Sequence, residues 1–90
     1  MLDSGMVLYD ETEATTTRYV GIVGQYERYD LAITTTGHFY GKSLVTSIPS
    51  GRTAILGADD VMNIPYLMQV FALTDERAAQ ELSELLQENI

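Results

Sequence analysis

The chain contains no cysteine and no tryptophan, and it has only one histidine and two prolines in 90 residues. Without cysteine, disulfide bonds, cysteine nucleophiles and cysteine-rich zinc sites are all excluded. No apolar run approaches the roughly 18–20 residues that cross a bilayer. The start of the sequence also lacks the basic and apolar regions of a signal peptide. Together these absences predict a cytoplasmic protein that does not bind membranes.

Positive charge is also scarce, since five Lys and Arg face thirteen Asp and Glu and leave a net charge of −8. This charge opposes nucleic-acid binding, which depends on Lys and Arg. The charge is uneven: residues 1–16 carry −4, residues 17–57 carry +2 and residues 58–90 carry −6. A local anion site in the middle segment requires its cations to converge. Pairing of these cations with acidic helices is the simpler interpretation, and the four cations are Arg18, Arg28, Lys42 and Arg52.

The composition, 46% hydrophobic and 20% charged, is typical of one globular domain that spans residues 1–90, with residues 1–7 loose. Four runs rich in β-branched and aromatic residues lie within residues 17–56, at 17–24, 28–34, 43–48 and 52–56. Short turns separate them, which predicts an antiparallel meander because parallel neighbours need longer crossovers.

Two helices are predicted within residues 58–89. Pro65 suits the first position of a short helix over 65–71, and Thr74 is the expected N-cap of a longer second helix. In the second helix an apolar stripe faces the core and three acids are expected to face away, namely Glu81, Glu84 and Glu88. The predicted fold is therefore α+β: a four-stranded antiparallel β-meander with the C-terminal helices packed on one face.

The sheet is predicted to keep one face bare. In the second strand Tyr29, Leu31 and Ile33 point to one side, while the other side of the sheet mixes Tyr, Thr, Arg and small residues. A small sheet with a bare face or a free edge tends to dimerise. Aromatic residues are more often core residues or interface anchors than base-stacking platforms. The candidate interface or ligand-binding residues are Tyr19, Tyr29, His38, Phe39, Tyr40, Arg28 and Arg52.

No catalytic, metal or cofactor site is predicted. His38 lies in a glycine-bounded turn with no nucleophile motif, so a surface or packing role is expected. The glycines match neither a dinucleotide fingerprint nor a phosphate loop. An oxygen-rich cation site would need two acidic segments to meet, whereas helix capping and a solvated acidic face explain them more simply. Those acids are Asp59 and Asp60 with Asp10, Glu11 and Glu13.

Several short segments resemble domain of unknown function 3055, a family of short acidic proteins from Gram-positive bacteria. The resemblance covers most of residues 8–88 and implies a cytoplasmic α/β protein and a homodimer. It brings no activity, cofactor or catalytic residue. The segments that carry it are residues 8–13, 17–21, 28–34, 39–42, 50–52 and 57–60.

Three functions remain open, and binding is favoured over catalysis. The leading hypothesis is a non-enzymatic homodimeric protein-interaction module. The second is a small ligand-binding protein or enzyme that uses His38 with Asp30 and either Arg28 or Arg52 around a pocket at a strand end. The third is an acidic protein that covers the nucleic-acid-binding surface of a basic partner. Direct binding of nucleic acid ranks last.

Overall fold

The computed structural model describes residues 5–90, so residues 1–4 of the predicted loose N-terminus lie outside it. Residues 5–15 have no regular secondary structure and are called the N-terminal arm. The strands and helices that follow are β1 Thr16–Val23, β2 Arg28–Thr35, β3 Ser43–Ser47, β4 Thr53–Leu56, α1 Ile64–Val70 and α2 Glu76–Asn89. Single 3-10 turns lie at Gly37–Phe39 and Asp60–Met62. The predicted α+β fold is confirmed.

The four strands form one antiparallel sheet in the order β1-β2-β3-β4. Tyr29, Leu31 and Ile33 are buried on the side covered by the helices, as their alternation predicts. Side chains at alternate positions form the opposite side, which we call the outer face. The strand register aligns its members across the sheet, and they are Thr17, Tyr19, Gly21, Val23, Arg28, Asp30, Ala32, Thr34, Leu44, Thr46, Thr53 and Ile55.

The core lies between the inner face of the sheet and the two helices. Four side chains are almost completely buried and come from β3, β4, α1 and α2: Val45, Leu56, Leu67 and Leu86. They belong to one continuous apolar cluster, to which Val20 and Ile22 of β1 add partly buried side chains. Burial of this surface is the main stabilising term for a chain without disulfides.

Short-range signals account for the helix starts. The Asn63 side chain caps α1 by accepting a hydrogen bond from the Tyr66 N–H at 3.2 Å. The helix begins at Ile64, so Pro65 is its second residue and not, as predicted, its first. The predicted N-cap of α2 is wrong by one residue. Asp75, and not Thr74, accepts from the Arg77 N–H at 2.9 Å, and the same carboxylate also binds the Arg77 guanidinium. Among residues 5–90, no helix has the length and apolar character that crossing a membrane requires.

The β3–β4 connection is longer than predicted. Ser47 donates its N–H to the Arg52 carbonyl at 2.8 Å and accepts from the Gly51 N–H at 2.8 Å. Closing this turn requires a left-handed residue, which Gly51 supplies with φ of 71°. Ile48 and Arg52, both predicted within strands, therefore lie in the turn.

Candidate functional site

A cleft of about 280 Å³ opens at the end of the sheet where β2 begins. Its floor is apolar and buried, and consists of Tyr29, Leu31, Phe71 and Leu82. Its rim is polar and comes from the β1–β2 turn, the start of β2 and the β3–β4 turn: Glu27, Arg28, Asp30, Ser47, Ser50 and Arg52. An apolar floor with a few polar rim groups is the usual composition of a small-molecule site.

Two of the predicted ligand residues, Arg28 and Arg52, meet at this cleft together with Asp30. Arg28 is held in a two-point ion pair, with Nε 2.9 Å from Asp30 Oδ2 and Nη2 3.1 Å from Oδ1. Hydrogen bonding to Asp30 and its charge raise the pKa of the Arg28 guanidinium. Within the part of the chain that the structure describes, the Arg52 guanidinium has no carboxylate at ion-pair distance.

The other two cations of the middle segment lie elsewhere. Arg18 donates to the Asn89 side-chain oxygen at 3.0 Å and to its carbonyl at 3.3 Å, at the end of α2. Lys42 pairs with Asp60 at 3.3 Å. The four cations therefore do not converge, and only Arg28 and Arg52 share a site.

His38 lies beyond the opposite end of β2 and does not join this group. Seven residue steps along β2 separate its two ends, roughly 24 Å at ~3.4 Å per residue. The grouping of His38 with Asp30 and an arginine is therefore not formed. Instead, His38 Nε2 lies 3.2 Å from Glu11 Oε2, and Nδ1 contacts Glu13. Hydrogen bonding to Glu11 and the charge of Glu13 raise the pKa of His38.

Glu13 binds the turn that carries His38. It accepts hydrogen bonds from the Thr36 hydroxyl at 2.7 Å and from the Gly37 N–H at 3.0 Å. These bonds and His38 lower the pKa of Glu13. The N-terminal arm is thus attached to the turn after β2. The spacing of Glu11 and Glu13 in the sequence is consistent with this attachment, because alternate residues of an extended segment point the same way and can reach the same turn.

The two acidic segments considered for a cation site bind different partners. Asp60 accepts from the Gly57 N–H at 2.8 Å and pairs with Lys42, while Glu11 and Glu13 bind His38. Hydrogen bonding from Gly57 lowers the pKa of Asp60. No group of three or more His, Asp or Glu side chains in residues 5–90 is arranged to hold a metal ion.

Tyr29 is a core residue and is not available on a surface, since it is 5% exposed. Its hydroxyl lies 2.9 Å from both the Ala78 carbonyl and Glu81 Oε1. Burial, with the hydrogen bond to Glu81, raises the pKa of the Tyr29 hydroxyl far above its ordinary range. Tyr29 therefore links β2 to α2.

Glu81 was expected to face solvent, and that expectation is wrong. Its carboxylate accepts from the Gln25 N–H at 2.7 Å, from the Tyr26 N–H at 3.3 Å and from Tyr29. Partial burial raises the pKa of Glu81, but these hydrogen bonds outweigh burial and bring it below its ordinary value. Glu81 therefore holds the β1–β2 turn against α2.

The remaining aromatic candidates differ in exposure. Tyr19 lies on the outer face and is 78% exposed. Phe39 is half-buried in the 3-10 turn. Tyr40, which ends that turn in the left-handed conformation with φ of 51°, is 97% exposed. Tyr19 is therefore the exposed aromatic candidate that belongs to the sheet itself.

The comparisons with known proteins give a family and no activity. None of the curated proteins compared with the chain matches it. Residues 8–88, which include the sheet, both helices and the acidic part of the N-terminal arm, match the model of an uncharacterised family described as SAV0927-like. With nearly the whole length matched, the chain belongs to the SAV0927-like family.

Proposed function

We propose that the protein is a non-enzymatic interaction module that forms a homodimer through the outer face of its sheet. Tyr19 and Val23, both large side chains on this face, are 78% and 79% exposed. Their exposure carries the proposal, because two large side chains exposed on the same face of an edge strand offer apolar surface that a partner can bury. Ile55, at the opposite edge of the same face, is also exposed.

Charge favours a second copy as the occupant of the outer face. The outer face carries no net charge, although the chain as a whole carries −8. On the same side of the sheet, Arg28 and Asp30 neutralise one another. Two copies can meet through this surface without opposing like charges, whereas a basic partner is attracted more strongly to acidic α2.

The open edge of the sheet supports the same proposal. β1 is an edge strand eight residues long, with Arg18 as its only charged residue and no proline. Natural proteins usually protect such an edge with charges, prolines or bulges. The unpaired backbone groups of this edge lie beside Tyr19 and Val23, so a second copy bound there is placed next to the edge.

The surroundings of His38 support a binding role over catalysis. Both ring nitrogens lie beside carboxylates, Nε2 beside Glu11 and Nδ1 beside Glu13. These carboxylates raise the pKa of His38 and occupy both ring nitrogens, an arrangement that opposes general-base chemistry.

A charge placed on the outer face tests the proposal. We expect the natural chain to dimerise at tens of micromolar by analytical ultracentrifugation, and Tyr19→Lys to be monomeric at the same concentration. Tyr40→Lys is the matched control, because Tyr40 is even more exposed than Tyr19 but lies outside this face. A natural chain that stays monomeric, or equal disruption by both substitutions, would contradict the proposal.

A basic protein partner is the second candidate function, and the exposed surface of α2 favours it. Glu76, Glu84 and Glu88 are all exposed on this helix, which has one basic residue, Arg77. Binding of this kind weakens as salt rises. Capture of basic proteins at low salt, weakened but retained at physiological salt and lost with Glu84→Lys, is the expected result. Salt-independent capture would contradict it.

A cytoplasmic location is also part of the proposal. The resemblance to domain of unknown function 3055 supports it, as does the lack of cysteine. We also infer that this domain and the SAV0927-like family comprise the same proteins, since both cover residues 8–88. Recovery of the protein in the membrane or secreted fraction of the cells that produce it would contradict the cytoplasmic location.

A further inference from the structure

The cleft at the start of β2 has two unpaired charges of opposite sign on its rim. Among residues 5–90, neither Glu27 nor Arg52 forms an ion pair, and the two do not pair with each other although both line the cleft. They belong to different turns, since Glu27 closes the β1–β2 connection and Arg52 the β3–β4 connection. A ligand in the cleft therefore has one carboxylate and one guanidinium of the rim available to it.

The rest of the rim adds no net charge. Arg28 and Asp30 neutralise each other through their two-point ion pair. Ser47 and Ser50 contribute hydroxyl groups that can donate or accept hydrogen bonds. A simple anion would be attracted by Arg52 but repelled by Glu27 and by the chain's net charge of −8. A molecule with one positive and one negative group avoids this conflict.

The floor requires an apolar group on the same ligand. Leu31, Phe71 and Leu82 are each at most 5% exposed and line the cleft below the charged rim. Ala72 adds a methyl group from a left-handed position with φ of 53°, where glycine is the usual residue after a helix. The chain thus keeps a side chain in the cleft despite a conformational cost.

We infer that this cleft binds a free α-amino acid with an apolar side chain. Its carboxylate contacts Arg52, its ammonium group contacts Glu27, and its side chain lies on the apolar floor. The cleft volume of about 280 Å³ is close to the lower end of the roughly 300–1,000 Å³ range for small-molecule sites, which suits one amino acid better than a nucleotide. This inference does not depend on the proposed homodimer.

The test titrates the full chain with L-leucine and L-phenylalanine, followed by NMR shifts of the cleft amides. N-acetyl-L-leucine removes the ammonium charge and resembles a peptide C-terminus, while L-leucinamide removes the carboxylate and resembles a peptide N-terminus. We expect at least one free amino acid to bind, and both analogues of leucine to bind at least roughly tenfold more weakly than leucine.

Substitutions of Arg52 and Glu27 test whether each of the two side chains contacts the amino acid. Arg52→Gln and Glu27→Gln are each expected to weaken amino-acid binding at least roughly tenfold. Arg18→Gln and Glu84→Gln, which lie outside the cleft, serve as charge-matched controls and leave binding unchanged. Spectra of each variant without ligand verify that it is folded.

Three results would overturn the inference. The first is no binding of either amino acid at about 10 mM, a concentration that detects even millimolar affinity. The second is an analogue that binds as tightly as leucine, because one charge then suffices. The third is binding that a folded Arg52→Gln or Glu27→Gln variant leaves unchanged.

Discussion

Two glutamates hold turns at opposite ends of β2, with similar hydrogen bonds but different surroundings. Glu81 accepts from two backbone N–H groups of the β1–β2 turn and from the buried Tyr29 hydroxyl. Glu13 accepts from the Thr36 hydroxyl and the Gly37 N–H, and pairs with His38, which is 48% exposed. Glu81 connects α2 to the sheet, whereas Glu13 attaches the N-terminal arm. We therefore expect Glu81 to affect global stability and Glu13 to affect only local order.

The largest expected effect on stability is that of Gly24→Ala, at the glycine beside Glu81. A Cβ at Gly24 would lie 2.1 Å from Glu81 Oε1, so Gly24→Ala must displace that carboxylate. The carboxylate can move, but moving breaks its hydrogen bonds to Gln25, Tyr26 and Tyr29, so we expect a loss of about 1–3 kcal/mol in the free energy of unfolding. Chemical denaturation measures it.

Gly37→Ala is the matched control, because its Cβ would lie 4.0 Å from Glu13 Oε2 and meets no close contact. We expect a change below about 0.5 kcal/mol, as for other surface substitutions. Equal losses of stability for Gly24→Ala and Gly37→Ala would contradict the expectation that Glu81 contributes more to global stability than Glu13.

The next largest effect concerns the link between Glu81 and the core. Tyr29→Phe removes the hydroxyl that lies 2.9 Å from both Ala78 and Glu81 and leaves the Ala78 carbonyl without this partner. We expect a loss of about 1–2 kcal/mol in the free energy of unfolding. Tyr40→Phe, at a fully exposed site, should change nothing measurable, and a loss as large as that of Tyr29→Phe would contradict this account.

A smaller effect is pH dependence confined to the His38 end. The pKa of His38 is raised, so its contribution is complete below about 6.5 and is lost as pH rises through the raised value. The pKa of Glu13 is lowered, so its contribution is complete above about 4.5 and is lost as pH falls through the lowered value. Attachment of the N-terminal arm should therefore be strongest between about pH 4.5 and 6.5.

The chemical shifts of the Gly37 amide and of the His38 ring, followed by NMR from pH 4 to 9, measure this window. His38→Gln should remove the change at high pH and keep the one at low pH. A Gly37 amide shift that does not follow the His38 titration would exclude the coupling between them.

The smallest expected effect on global stability is that of Glu13→Gln. This substitution weakens the contacts to Gly37 and His38 but touches nothing in the core. We expect an almost unchanged denaturation midpoint and faster hydrogen exchange at the Gly37 amide. A cooperative loss of stability across the whole sheet would mean that the N-terminal arm is part of the core.

Local patterns predicted most of the fold. Alternation in β2 identified Leu31 and Ile33 as core residues. Pro65 indicated where α1 starts, because the fixed φ and missing N–H of proline suit the first turn of a helix. The N-cap of α2 was misplaced because Thr74 and Asp75 are both good caps. The structure favours Asp75, whose carboxylate also binds Arg77.

The contacts between distant residues could not be predicted. Glu81 binds Gln25 across 56 positions, and His38 binds Glu11 across 27. Helical periodicity predicts that Glu81 faces solvent. Periodicity within one helix cannot show that the β1–β2 turn packs against that side chain. The convergence of Arg28 and Arg52 likewise depends on two turns that meet only in the folded sheet.

The central claim is that two copies meet through the outer face, and a mixed-label experiment tests it most directly. The chain has no cysteine, so Thr16→Cys accepts a single spin label at the exposed start of β1, adjacent in sequence to the outer-face residue Thr17. Spin-labelled protein without isotope is mixed with unlabelled protein enriched in ¹⁵N, so that broadening reports only contacts between copies. We expect the amides of Tyr19, Ala32 and Thr46 to broaden and that of Glu84 on α2 to remain sharp. No broadening, or broadening confined to α2, would contradict the claim.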